Sequence, residues 1–108
     1  MNIKKQLEEL LFLLEKSSFV NAHDKCEELW RKYKNDENTR EESFILKAFV
    51  NAFAFFELNK MQRYEHSLNI WKIFKKYENL INDLETPNKT QYKKIQKLIY
   101  KKREEIQI

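Results

Sequence analysis

An all-α fold is predicted, a compact bundle of about five helices around a buried central third helix, and three observations carry that prediction. The 108-residue chain holds no Gly and a single Pro. Hairpin turns draw on Gly or Asn at positive φ, so a sheet would have little to turn with, whereas helices joined by short polar loops need no Gly. Apolar residues recur at the i, i+3, i+4, i+7 spacing of a helix face along almost the whole sequence. Lys and Glu are abundant, which favours helix over strand.

A chain of this length makes one domain, residues 1–108, and buries roughly 65% of the surface its unfolded form exposes. Eight Phe, five Tyr and two Trp are available for that core. Each buries roughly 150–250 Å² when packed, so aromatic area should dominate the stabilisation.

The first helix is read from Ile3, Leu7, Leu10, Leu11 and Leu14 on one face, with Phe12 and Leu13 widening the stripe, and it breaks at Ser17 and Ser18. Phe19, Ala22, Cys26, Leu29, Trp30 and Tyr33 form the stripe of the second helix, which either serine can cap and which should end near Lys34. A wholly polar stretch over 34–38 reads as a loop. Thr39 followed by Glu42 then matches a capping box, with Thr39 as N-cap of the third helix. That helix, running through Phe44, Leu46, Phe49, Phe53, Phe55 and Phe56, has almost no polar face and belongs at the centre of the bundle. A fourth helix is expected from about Lys60 to Asp83, with Met61, Tyr64, Leu68, Trp71, Phe74 and Ile81 inward. Pro87 pushes its predecessor out of α geometry and separates a fifth helix over about 88–106, with Tyr92, Ile95, Ile99 and Ile106 inward.

Several function classes are set aside at this level. Glu8, Glu9 and Glu15 interrupt the first apolar run, so no signal-peptide core is expected. The longest apolar run, Phe44 to Phe56, is broken by Lys47 and Asn51 and falls short of the roughly 20 residues of a membrane span. Cys26 is the one cysteine, which excludes an internal disulfide and fits a small buried residue in a reducing compartment. A cytoplasmic protein with no membrane segment is the expectation. No cofactor is expected, because a phosphate-cradling loop rich in Gly cannot be built without Gly.

One polar constellation stands out. His23, Glu27 and Trp30 share a face of the second helix, and that face overlaps its apolar stripe, so a histidine and a carboxylate are aimed toward the core. Burying either without a partner costs about 1–3 kcal/mol, so each other, a water, a ligand or a third-helix side chain must satisfy them. Asn51 is the natural candidate; with Lys47, at i, i+4 spacing, it forms the one polar pair in the apolar stretch of the third helix. Three readings compete. In the first, His23, Glu27 and Asn51 form a satisfied buried network in a structural or interaction protein. In the second, His23 and Glu27 reach one metal ion with Asp24 or Glu28 at the flank, although the second histidine of the zinc-binding H-E-x-x-H pattern is missing. In the third, His23 polarised by Glu27 moves a proton in a small-ligand enzyme.

The run from Phe19 to Trp30, with Ala22, His23, Asp24, Glu27 and Trp30 at these spacings, resembles the signature of the bacterial and archaeal family catalogued as domain of unknown function 309. Members show an aromatic residue, then Ala-His-Glu, a second Glu and a Trp; the next helix of the family commonly carries Gly-Leu-Ile-Gln, which Ala48, Phe49, Val50 and Asn51 resemble. The resemblance covers about residues 12–81. It implies an all-α fold and a shared polar site at His23, Asp24, Glu27 and Trp30, with Asn51 in place of the usual Gln, and it implies no activity. Asp24 stands where Glu is usual, which sets its oxygens back by roughly 1.5 Å. Cys26 stands where an aliphatic residue is usual, and the family's glycines appear as Ser17, Ala48 and Met61.

Charge is uneven. Residues 1–58 hold 9 Lys and Arg against 11 Asp and Glu, while residues 59–108 hold 12 against 6. Lys93, Lys94, Lys97, Lys101, Lys102 and Arg103 with Tyr92 and Tyr100 make the last helix a second candidate, for contacting phosphates and stacking bases of nucleic acid. An ordinary amphipathic helix, lysines on its wet face and tyrosines inward, is the competing reading. Self-association into a homo-oligomer is also open, because so many aromatic residues are hard to hide in a small core.

Overall fold

In the computed structural model, which describes residues 3–107, helices α1 (Lys4–Glu15) and α2 (Phe19–Lys34) form a hairpin that leads into α3 (Ser43–Lys60). Nine α3 side chains are buried, among them Phe49, Phe53, Phe55 and Phe56. A helix apolar on nearly every side must be covered from more than one direction. Helices α2 and α4 (Tyr64–Tyr77) flank it, and α6 (Lys89–Glu104) packs chiefly on α1 to close the bundle. One helical turn, α5 (Leu80–Asp83), links α4 to α6. The fold is therefore an all-α bundle with a buried third helix, as predicted. Its radius of gyration, 13.0 Å, is that of a single domain of this length.

Side-chain pairings give the helix directions. Glu42 and Phe49 meet Tyr92 while Phe55 meets Arg103, so α3 and α6 run the same way. Glu78 meets Gln96 and Trp71 meets Arg103, so α4 runs against α6. The α1–α2 and α3–α4 turns and the C-terminus of α6 therefore gather at one end, the upper; the α2–α3 and α4–α6 connections gather at the lower.

Both upper turns are Schellman motifs. After α1, Ser17 N–H donates to Leu14 O and Ser18 N–H to Leu13 O, at 3.0 and 2.9 Å. After α3, Gln62 N–H donates to Asn59 O and Arg63 N–H to Leu58 O, at 3.0 and 2.9 Å. The left-handed residue of such a motif is usually Gly. Here Ser17 and Gln62 take it, with φ of 58° and 61°.

Several of the predicted boundaries, faces and caps need correction. Helix α3 runs on to Lys60, and α4 starts only at Tyr64. Met61 consequently lies in the turn and is 61% exposed, and Tyr64 and Leu68 face outward as well. Ser67 and Phe74 are the buried residues of α4, with Trp71 packed inward on Phe55 and Phe74 as expected and Glu78 buried just past the helix end. The expected continuous fourth helix breaks after Tyr77 and resumes as α5. The capping box does not form: Thr39 Oγ1 donates to Tyr33 O at 2.9 Å, and Glu42 turns to α6. Ser18 occupies the N-cap position of α2 without a side-chain capping bond. Among the described residues, no helix is long and apolar enough to cross a membrane.

Candidate functional site

His23 sits at the upper end of α2 with carboxylates around both ring nitrogens. Nε2 lies 3.7 Å from Glu27 Oε2 one turn along. Nδ1 lies 3.4 Å from Asp24 Oδ1 and 3.8 Å from Glu57 Oε1, the latter reaching across from α3. The side chains of His23, Glu27 and Glu57 keep 24, 30 and 26% of their exposure. The cluster is therefore a half-buried shelf, and the expected sealed network of His23, Glu27 and Asn51 is not formed.

Asn51 is not the third-helix partner. Its Nδ2 donates to Lys47 O at 2.8 Å, back along its own helix. Glu57, which does face His23, is six residues further on, a rotation of about 240° around α3, so the two cannot share a face. Lys47 is turned to the α3–α4 seam, its Nζ 5.2 Å from the centre of the Tyr77 ring. Trp30 is half-buried and carries Lys34 Nζ 4.4 Å above its ring, two turns from the shelf. Glu27 divides its carboxylate between His23 and a short contact with Arg31. Of the α2–α3 candidates, the structure brings together His23, Asp24 and Glu27 and leaves out Trp30, Lys47 and Asn51. The missed member is Glu57. The available signal was its position as the one acidic residue inside α3.

Cys26 lies beneath the shelf, fully buried, its Sγ donating to Leu46 O at 3.4 Å. Burial pushes its thiol far up, so it stays protonated and packs as a small apolar residue. Glu57 is also pushed up, first by burial and then by the charge of Asp24, with His23 acting in the opposite sense. Its Oε1 is buried and accepts no hydrogen bond. Among the described residues, no group of three or more His, Cys, Asp or Glu side chains is placed to hold a metal ion.

Next to the shelf opens a cleft of about 420 Å³ between the two upper turns. Phe19, Val20 and Met61 give it apolar walls, Glu57 and Lys60 stand at its α3 side, and Ser17 and Ser18 close it toward α1. Val20 and Met61 are 59 and 61% exposed, so two apolar side chains face water at the cleft. Apolar walls with one under-satisfied carboxylate are the features of a binding cleft.

The basic candidates lie elsewhere. Lys93, Lys94, Lys97 and Lys101 are exposed on α6. Neither of the tyrosines expected to stack bases stands free on that face. Tyr92 is fully buried, and Tyr100 is packed on Trp71 and Phe74 with its hydroxyl donating to Glu78 Oε2 at 2.5 Å. Burial is the first cause that pushes both phenols up, and the neighbouring carboxylates add to it.

No family model, curated protein or solved structure matches this chain.

Proposed function

We propose that this protein is a non-enzymatic interaction module that receives a basic group carried on an apolar stem in the cleft between the α1–α2 and α3–α4 turns. The observation that carries the reading is Glu57 Oε1, buried without a hydrogen-bond donor beside an open apolar cleft. A buried acceptor left without a donor costs about 1–3 kcal/mol, and the carboxylate that carries it, still 26% exposed, would be stabilised by an ammonium or guanidinium seated in the cleft. Val20 and Met61 supply the contact for its apolar part. His23 Nδ1 stands 3.8 Å from Glu57 Oε1, beyond hydrogen-bond distance, and so leaves it without a donor. The resemblance of residues 12–81 to domain of unknown function 309 supports the location, since the histidine of that signature falls at His23. A cytoplasmic setting belongs to the same reading, supported by the single, buried, protonated Cys26.

Phenethylamine and phenylacetate each join a phenyl ring through a short alkyl stem to a charged group, and they differ in the sign of that charge. Titrated into the protein and followed by backbone amide shifts, phenethylamine should move the signals of Val20, Glu57 and Met61, and Glu57→Gln should abolish the effect. Equal shifts with phenylacetate, or none with the amine, would overturn the reading.

A further inference from the structure

The lysines of α6 are left unused by the cleft, and their arrangement carries a second site. Lys93, Lys97 and Lys101 follow one another at four-residue intervals, which sets them about 6 Å apart along the helix axis. They line a shallow groove of about 450 Å³ floored by Gln96 and Tyr100, with Glu104 at its upper end. Helix α4 runs antiparallel alongside, and Lys75 reaches across to Tyr100 Oη at 2.8 Å, which extends the basic face onto α4. Lys72 is a further exposed lysine on α4. Among the described residues, none of Lys72, Lys93, Lys97 and Lys101 is paired with a carboxylate. One nearby acid that would offset them, Glu78, is turned inward, 5% exposed, and occupied by Gln96, Tyr100 and Lys75.

We infer that this face binds the phosphate backbone of duplex nucleic acid without reading its sequence. A ladder of three lysines about 12 Å long faces three to four phosphates of one strand, which carries a charge every 3.4 Å of axis. Single-strand binding rests on aromatic platforms for the bases. Tyr92 is buried, so this face offers one partly buried ring, Tyr100, in place of a succession of platforms. A membrane surface is a poorer match, because peripheral helices add an apolar strip beside their lysines, and the residues lining this groove are Lys, Gln, Glu and the pinned Tyr100.

Fluorescence anisotropy with a labelled 20-base-pair duplex tests the inference on the full chain. Binding should be measurable at 50 mM salt and weaken about a hundred-fold by 200 mM, the loss for four neutralised phosphates. The triple variant Lys93→Gln/Lys97→Gln/Lys101→Gln should bind at least about ten-fold more weakly, with its salt slope reduced by about three and its helical circular dichroism unchanged. A control triple, Lys5→Gln/Lys32→Gln/Lys34→Gln, changes net charge equally on other faces and should keep most of the affinity. No binding at 50 mM salt, an equal loss in the control, or tighter binding to phosphatidylserine vesicles or to polyglutamate than to the duplex would each overturn it.

Discussion

Glu42 and Tyr92 lie 50 residues apart in sequence and meet at the lower end of the bundle, where the Tyr92 hydroxyl donates a short hydrogen bond to Glu42 Oε2. The same oxygen accepts Asn88 Nδ2 at 3.0 Å. The pair ties the start of α3 to the start of α6, and both of its partners on α6 are buried. Tyr92→Phe should destabilise the protein by about 1–2 kcal/mol, and Glu42→Ala by a similar amount. Urea melts of the two single variants and the double should show losses that are less than additive, since the second change removes a bond already broken.

Tyr92 also sets an alkaline limit. Its folded-state value is pushed well above the ordinary 10.0, by burial first and by its bond to Glu42 second. The unfolded chain therefore releases this proton at a lower pH than the folded one does, and stability falls as pH rises above about 10. Thermal melts of Tyr92→Phe between pH 9 and 11.5 should show a shallower decline than wild type; an equally steep one would contradict the assignment.

Glu57 works in the opposite region. Burial raises it above its ordinary 4.5, so its charged form is disfavoured in the folded state and the penalty is fully present at neutral pH. Glu57→Gln should raise the melting temperature at pH 7. The gain should shrink as pH falls through the folded-state value and disappear below about 4.5. A gain that grows on acidification would show that the ionised group is stabilising after all.

Glu78 is the most enclosed carboxylate, held by Gln96 Nε2 at 2.8 Å, by Tyr100 Oη and by Lys75 Nζ at 3.0 Å. Removing it leaves Gln96 Nε2 and the Tyr100 hydroxyl proton without an acceptor, while Lys75 keeps Tyr100 Oη. Glu78→Ala should cost about 2–3 kcal/mol in chemical denaturation, more than Asn51→Ala, whose bond is internal to α3 and should be worth about 1 kcal/mol or less.

The two left-handed residues differ in what replacement would do. Gln62 is exposed, and Gln62→Gly should stabilise by about 0.5–1 kcal/mol by relieving the side-chain strain of that backbone conformation. Ser17→Gly relieves the same strain but loses the bond that Ser17 Oγ accepts from Lys102 at 2.9 Å, so its net gain should be smaller. Comparison of the two melting temperatures decides the point.

The helix count and the burial of α3 were legible because they follow from local pattern: no Gly for turns, and an α3 whose apolar residues leave no wet side. What failed was everything decided by a distant partner. Thr39 and Glu42 satisfy the spacing of a capping box, yet the threonine is taken by Tyr33 O and the carboxylate by Tyr92 and Asn88, partners that exist only once the bundle has formed. His23, Asp24 and Glu27 were found because neighbours on one helix face meet by geometry alone. Glu57 was missed because its meeting with His23 depends on how α2 and α3 are rotated against each other, which spacing along either helix does not contain. Lys47 and Asn51 looked conspicuous as polar residues on an apolar helix, yet Asn51 bonds back along its own helix and Lys47 turns to the Tyr77 ring on α4.

Lys102 reaches back to Glu15 O at 3.0 Å and to Ser17 Oγ at 2.9 Å, contacts that close 87 and 85 residues of chain. Helices α2, α3 and α4, by contrast, meet their neighbours through adjoining turns. Closing a long loop costs more entropy than pairing neighbours, and such contacts form late. The seam between α1 and α6 should therefore open before the packing among α2, α3 and α4, with amide exchange faster in α6 than in α3. On that ordering α2, α3 and α4 would be the kernel of the molecule, and α6, the helix that carries the lysine ladder, the clasp upon it.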